Sequence, residues 1–348
     1  MDIIPPVATP PRSVFIAWTP FQRRQLSMAP LLGFEPVFMP LGQGPRPLRP
    51  LQYLHHALAT LDFLRGRRPE TIWVQLPQVP LLSAALWHRR WVDPKVRIIA
   101  DCHNRILNPP WNRWPGLKAQ LNACDAVVVH NRTVLPKVEA LGIHPGLLRI
   151  LEDPPALLRR VARSAAPYPK PWVLFLASFN PDEPIQELFA AARLAPDIHF
   201  VLAGESGRAS GRHVLADPPP NVVLPGYLSG EALDTAILEA DAVLALTKLE
   251  DAQLSSAAEA IGAGRPMVLS DTPVTREMYH QGGVFVDTYD PASIVRGCQT
   301  AIAEAGRLGA ESQALREERY RRWWTQAAAI GDLLDLDRVP PDSAPVVV

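Results

Sequence analysis

The chain has 348 residues, 47% hydrophobic and 20% charged, and no net charge at pH 7, the composition of a folded protein long enough for two ordinary domains. No apolar run nears the ~20 residues that span a bilayer, and "MDIIPPVATPPRS" lacks the basic start and apolar centre of a secretion signal. Three cysteines without a CxxC pair speak against a disulfide framework or a zinc site, so a reducing cytoplasm is the expected home.

In chain order, the first half offers strands at "SVFIAW", "EPVFM", "TIWVQL", "VRIIADC", "AVVVH" and "LLRIL". Helical patterns lie between several of them. In "LQYLHHALATLDFL" (51–64), Tyr53, Leu54, Ala57, Leu58 and Leu61 share a face expected to turn inward. His55 and His56 belong to that core pattern and suggest no metal. "SAAPYPKP" (164–171) reads as a Pro-rich linker. The second half continues with "WVLFLAS", "IHFVLAG", "NVVLPGY", "AVLALT", "PMVLSD" and "GVFVD". In "DPASIVRGCQTAIAEA", Asp290 is the expected N-cap and Pro291 the first helical residue. Short apolar strands alternating with helices predict parallel sheets covered on both faces. The fold class is therefore α/β, with two such domains facing a cleft.

The linker also divides the charge. Residues 1–170 carry 22 Lys and Arg against 10 Asp and Glu, leaving 13 against 25 for the remainder. A basic half would face an anionic partner or surface; the alternative is two solvated faces of unequal composition. The basic half also holds "LWHRRW" (86–91) and "NPPWNRWPGLK" (108–118). There Trp87, Trp91, Trp111 and Trp114 stand among Arg89, Arg90 and Arg113. Such clusters suit a membrane interface, reached from the cytoplasmic side, or else tryptophans in core contacts beside surface arginines. No nucleic-acid module accompanies them.

Ligands of open parallel sheets bind beyond the carboxyl ends of the strands, so the residues after each strand are the candidates. Arg23 and Arg24 follow the first strand, where a helix should begin, and His103, Asn104 and Arg105 follow "VRIIADC". Gly204 opens the turn "ESGRASG", Tyr227 and Leu228 end "NVVLPGYL", and Lys248, Glu250 and Asp251 follow "AVLALT". The last of these leads into "LEDAQLSSAAEAIGAGRPMVLSD" (249–271). The amides of Ala252, Gln253, Leu254, Ser255 and Ser256 are expected at a helix N-terminus, suited to a phosphate. Glu259, a turn further on, would accept from a ribose diol, and Asp251 from a sugar beyond the phosphates. The plain alternative makes Asp251 a helix cap and Glu259 a surface carboxylate.

This stretch resembles the donor site of GT-B glycosyltransferases, especially the retaining family 4 type. Their pattern is Glu, seven residues, Glu, a small-residue turn, Pro, a strand and Ser/Thr-Asp. Asp251, Glu259 and "AIGAGRPMVLSD" follow it with Asp in the first place. "VVLPGYLSGEALDTAILEADAVLALT" and "TREMYHQGGVFVDTYDPASI" are similar to the flanking units, and the likeness runs over residues 172–305. "ADCHN" resembles the loop whose His lies near the donor sugar. "LEDPPALLRR" with "LASFNPDEPIQELFAAARL" is also similar to the inverting β-1,4-mannosyltransferase of lipid-linked oligosaccharide assembly.

The resemblance implies two Rossmann-like domains. Residues 1–165 would bind the acceptor, with Arg23 and Arg24 on it, and 171–308 the nucleotide-sugar donor. A tail helix (311–334) would pack back on the first domain. It implies a hexosyltransferase of cell-envelope or exopolysaccharide synthesis, retaining rather than inverting, with a glycan or lipid-linked acceptor. His103, Asp251 and Asp101 are the catalytic candidates. Glu259, Lys248, residues 252–256, Tyr227, Leu228, Gly204 and Arg105 are assigned to the donor. No metal or other cofactor is expected, since no Asp-x-Asp stands in a suitable loop. One departure matters: the family's Arg and Lys after the first strand of the second domain are replaced by "SFNPDEP". Lys248, then Arg105, Arg24 and Arg276, are the candidates to meet the diphosphate charge. A catalytically weak sugar-nucleotide-binding module or partner subunit is the rival reading. A GT-B epimerase would need more acid and base groups than the sequence offers.

Overall fold

The computed structural model describes residues 12–42, 46–158, 167–209, 215, 217–228 and 230–334. The chain forms two compact units, each built on a parallel six-stranded sheet. All twelve strands expected from the sequence form, with ends shifted by a residue or two, or more in "NVVLPGY". The first eleven residues, the first three of the 164–171 linker and part of the 205–211 turn lie outside the described residues.

In the first unit the elements are β1 (Ser13–Ala17), α1 (Arg23–Leu32), β2 (Glu35–Phe38), α2 (Arg49–Arg67), β3 (Thr71–Leu76), α3 (Val79–Trp91), β4 (Arg97–Cys102), α4 (Leu117–Asn122), β5 (Ala126–Val129), α5 (Leu135–Ala140) and β6 (Leu148–Ile150). Their order across the sheet is β2-β1-β3-β4-β5-β6. The chain steps one way from β1 to β2 and the other way from there on. Right-handed crossovers therefore put α1 on one face and α2 to α5 on the other. The central strands are buried along their length, as runs such as "SVFIA" and "TIWVQL" require when helices cover both faces. Gly33 ends α1 in the left-handed region, at φ 68°, its amide bonded to Ala29.

Helix α2 departs from expectation. It buries only Thr60 and Leu64, with Tyr53, Ala57 and Phe63 packed at the edge of the core, while Leu54 and Leu58, expected inward, are exposed. His55 is exposed too, and His56 bonds the carbonyls of Gln52 and Pro40. The tryptophans also divide. Trp111 and Trp114 stack 5.6 Å apart and pack against the core, whereas Trp87 and Trp91 are exposed.

The second unit contains β7 (Trp172–Leu176), α6 (Ile185–Leu194), β8 (His199–Ala203), β9 (Val222–Val223), α7 (Gly230–Glu239), β10 (Ala242–Ala245), α8 (Ser255–Ala263), β11 (Met267–Ser270), α9 (Pro273–Met278), β12 (Gly283–Val286) and α10 (Pro291–Ala303). Its strand order, β12-β11-β10-β7-β8-β9, reverses direction at β7 and β10, and the loops after these two strands flank the crevice such a reversal creates. Asp290 caps α10, accepting the amide of Ala292 at 2.9 Å, ahead of Pro291.

The division between units falls at Glu152, before the Pro-rich stretch. Residues 153–158 belong to the second unit and run along α8, where the Ala156 amide donates to the Ala258 carbonyl at 3.0 Å. The last helix, α11 (Ala305–Leu334), counts with the second unit as far as Trp324 and with the first from Thr325. The expected tail is thus only partly a first-domain element. Tyr320 donates to the Pro155 carbonyl within the second unit, and Gln326 accepts the Glu152 amide within the first.

Candidate active site

At the carboxyl edge of the first sheet, the starts of four connections converge. Helix α1 brings Gln22 and Arg24, β4 ends at Asp101 and His103, β5 delivers His130, and β6 leads to Leu151 and Glu152. Arg24 clamps Asp101 through two bonds, Nη2 to Oδ1 at 3.0 Å and Nε to Oδ2 at 3.3 Å. It also donates to the carbonyls of Leu151 and Glu152, each at 2.8 Å. His130 Nε2 stands 3.2 Å from Asp101 Oδ1. The His130 ring in turn meets the His103 ring edge to face, 4.5 Å between centroids, and Gln22 donates its side-chain amide to His103 Nε2 at 2.8 Å.

This network bears on two of the candidates. Arg24 and Asp101 are both buried, Asp101 completely. Burial opposes the charge on Asp101, but Arg24 and His130 outweigh it and hold the carboxyl below the usual carboxylate range. Asp101 is an ionised anchor and unsuited to act as a base, and Arg24 is its counter-ion and is not displayed to an acceptor. Asp101, His103 and His130 do bring ligand-type atoms within 4.8 Å of one another. With both Asp101 oxygens already engaged, the trio is best read as a hydrogen-bonded network. His130 had escaped the sequence reading because it was counted as the last residue of its strand. Of the remaining candidates here, Arg23 lies half-buried, 5.6 Å over the Phe21 ring, and Arg105 is exposed beside His103.

In the second unit the loops after β7 and β10 are tied together. The Lys248 amide donates to the Asp182 carbonyl and Thr247 Oγ1 to the Asp182 carboxylate, each at 2.8 Å. Lys248 Nζ pairs with Glu187 Oε1 at 2.6 Å and sits 5.5 Å over the Tyr289 ring. The "SFNPDEP" loop closes on itself: the two oxygens of Glu183 accept the amides of Ser178 (3.0 Å) and Phe179 (2.7 Å), with Phe179 in the left-handed region at φ 54°. Burial pushes the Glu183 carboxyl up to about 7, against the pull of those amides. The strand ends are pinned by Ser270, whose hydroxyl accepts the Thr247 amide, donates to the Thr247 carbonyl and meets Thr288 at 2.6 Å. Glu187 is not singled out by the sequence, and the partners of Glu183 and Ser270 are fixed only by the fold.

Helix α8 begins later than expected. Its cap is Leu254, which has no side-chain acceptor to offer, so Asp251 is not the cap. Ala252, Gln253 and Leu254 precede the helix, and Ser255 and Ser256 form its first turn. Glu259 is buried within the second turn and is no ordinary surface carboxylate. Gly204 donates its amide to Gly226 at 2.9 Å, which sets the exposed Tyr227 and half-buried Leu228 alongside. A Cβ on Gly204 would lie 2.0 Å from the Ala177 carbonyl oxygen, so only glycine fits that approach. Arg276 is engaged by Asp271 on the exposed side of α9. All three cysteines are buried and unpaired, and burial pushes Cys124 and Cys298 up to about 12.

Comparison with known proteins supplies a frame for these groups. Residues 160–322 match the family model described as Glycosyl transferases group 1. No curated protein matches the sequence. Among solved structures, sucrose-phosphate synthase from Thermosynechococcus elongatus is 16% identical with a TM-score of 0.67, covering 93% of this chain and 88% of that one. Anabaena Alr3699/HepE, solved in complex with UDP and glucose, is 12% identical with a TM-score of 0.68, covering 92% and 99%. A putative UDP-N-acetylglucosamine 2-epimerase from Listeria monocytogenes is also 12% identical, with a TM-score of 0.60 and coverage of 97% and 100%. At such identities the likeness shows the fold, and the family match is a similarity confined to residues 160–322. Residues 160–322 are thus similar to a group 1 glycosyltransferase domain, and the chain shares the two-unit α/β fold of these GT-B structures.

Proposed function

We propose that the chain transfers a sugar from a nucleotide-diphosphate donor to a hydroxyl of a glycan or lipid-linked acceptor, with retention, and without a metal. The observation that carries this reading is the start of α8. Its first turn lies at the switch point of the second sheet, its cap position has no side-chain acceptor, and Glu259 stands buried one turn on. A helix N-terminus in that setting suits a phosphate, and Glu259 is the acceptor proposed for the ribose. The complex of Alr3699/HepE with UDP and glucose supports a donor of this class.

Retention is favoured by the state of the candidate bases. Asp101 is held ionised by Arg24, and the Nε2 of His103 already faces Gln22. With both so engaged, a donor phosphate oxygen is the better proton acceptor for the incoming hydroxyl, and His103 is left to donate to a sugar hydroxyl.

A second reading is kept by one observation. Lys248 is neutralised by Glu187, and the loop that carries basic residues in the resembled family is filled by its own Glu183. A module that binds sugar nucleotides without turning them over would tolerate this arrangement. Incubating the purified protein with labelled UDP-, GDP- and ADP-sugars, with and without chelator, separates the two. Transfer or slow hydrolysis giving a product with the donor's anomeric configuration supports the first reading. Under it, His103→Ala lowers turnover more than donor affinity. Binding without any turnover supports the second.

A further inference from the structure

From the geometry of α2 and α3 we infer that the first unit carries a docking surface for anionic lipid bilayers. Exposed leucines scattered singly need no explanation. Here Leu51, Leu54 and Leu58 recur along one face of α2, exposed by 63%, 57% and 58%. The helix packs Tyr53, Ala57, Thr60, Phe63 and Leu64 against the core and leaves these three leucines uncovered. Helix α3 lies beside it and adds Trp87 and Trp91, the latter 65% exposed. The two helices share one face of the sheet, and the Arg65 guanidinium reaches from α2 to stand 5.2 Å over the Trp87 ring. The leucines lie along the N-terminal half of α2, and Arg65 near its C-terminal end links that helix to the tryptophans of α3.

Charge complementarity selects the occupant. Arg49, Arg65 and Arg68 on or just after α2 and Arg90 on α3 are exposed and have no carboxylate partner among the described residues. The acidic residues nearest in sequence are Asp62, Asp93 and Glu70, the last paired with Arg12. Arg90 stands 4.8 Å over the Trp91 ring as Arg65 does over Trp87. A cation held against an exposed indole suits the interfacial zone of a bilayer, with the ring at headgroup depth and the guanidinium on lipid phosphate. Trp111 and Trp114, packed on the core, and Arg89, paired with Asp125, play no part in it. No described helix is long and apolar enough to cross a membrane, so the attachment is peripheral and reversible. It does not rest on the proposed glycosyl transfer, and its test contains no sugar nucleotide.

The full chain is floated with vesicles of phosphatidylcholine alone and of equal parts phosphatidylcholine and phosphatidylglycerol, at low and high salt. Wild type is expected to rise with the anionic vesicles, less so at high salt. Arg65→Glu/Arg90→Glu is expected to lower partition by more than the factor of about five that each basic residue near an anionic surface contributes. Leu51→Ser/Leu54→Ser/Leu58→Ser is expected to abolish flotation while circular dichroism and the melting temperature stay as in wild type. The inference is overturned if wild type remains in the lipid-free fraction under every condition, or if both variants float as wild type does. It is equally overturned if light scattering without lipid shows a dimer that the leucine variant dissociates, because the leucines would then be covered by a second copy.

Discussion

Asp101 shows how far one residue's surroundings can reverse its expected chemistry. As a carboxylate two places before His103 it was a candidate base, yet the fold encloses it with Arg24 and His130. Removing one partner of a buried ion pair costs about 3–5 kcal/mol because the other is left charged and unpaired. Asp101→Asn should therefore destabilise the protein by that order in urea unfolding, and a loss below about 1 kcal/mol would contradict the described geometry. Glu183 gives a prediction in pH. Its carboxyl is raised from 4.5 to about 7, so the folded chain binds that proton more tightly than the unfolded one. The contribution to stability is then fully present below about pH 4.5 and falls as pH rises towards about 7. Comparing the unfolding free energy of wild type and Glu183→Gln at about pH 5 and about pH 8 isolates it: wild type should lose more on the way up. Equal losses would mean that burial does not perturb Glu183.

At the level of elements, α8 depends on what lies along it. Residues 153–158 pass so close that a Cβ on Gly262 would meet the Ala156 carbonyl oxygen at 2.3 Å. Glycine to alanine inside a helix ordinarily stabilises by up to about 1 kcal/mol. Here the clash is with backbone, which cannot rotate away, and Gly262→Ala should lower the melting temperature. A rise would show that 153–158 do not lie against the helix. The strands were readable because each is a short apolar run between turn residues, and α10 because Asp290 and Pro291 mark its start. Helix α8 was legible as a helix but misplaced at its N-terminus. "DAQL" carries an acidic residue where a cap is expected, while the chain stays non-helical as far as Leu254. Helix α2 was misread for a different reason. Its apolar period is genuine, but periodicity gives a face without saying whether protein or something else covers it.

For the molecule as a whole, the alternation of strands and helices foretold two parallel sheets. The site was legible only where chemistry is local in sequence. Lys248, Ser255, Ser256 and Glu259 fall within one strand-loop-helix unit and could be read together. The Arg24–Asp101–His130 network joins residues 77 and 29 positions apart, and no local spacing announces it. The central claim is that the second unit holds a nucleotide diphosphate through α8, and calorimetric titration of UDP, GDP and ADP into wild type, Glu259→Gln and Glu259→Ala tests it most directly. One of these nucleotides should bind wild type, and loss of hydrogen bonds to a charged group should weaken it by about 1.5–3 kcal/mol in Glu259→Ala. Glu259→Gln, which keeps the shape, should weaken it in the same direction with the melting temperature preserved. Equal affinity in all three proteins, or no binding of any nucleotide to wild type, would contradict the account.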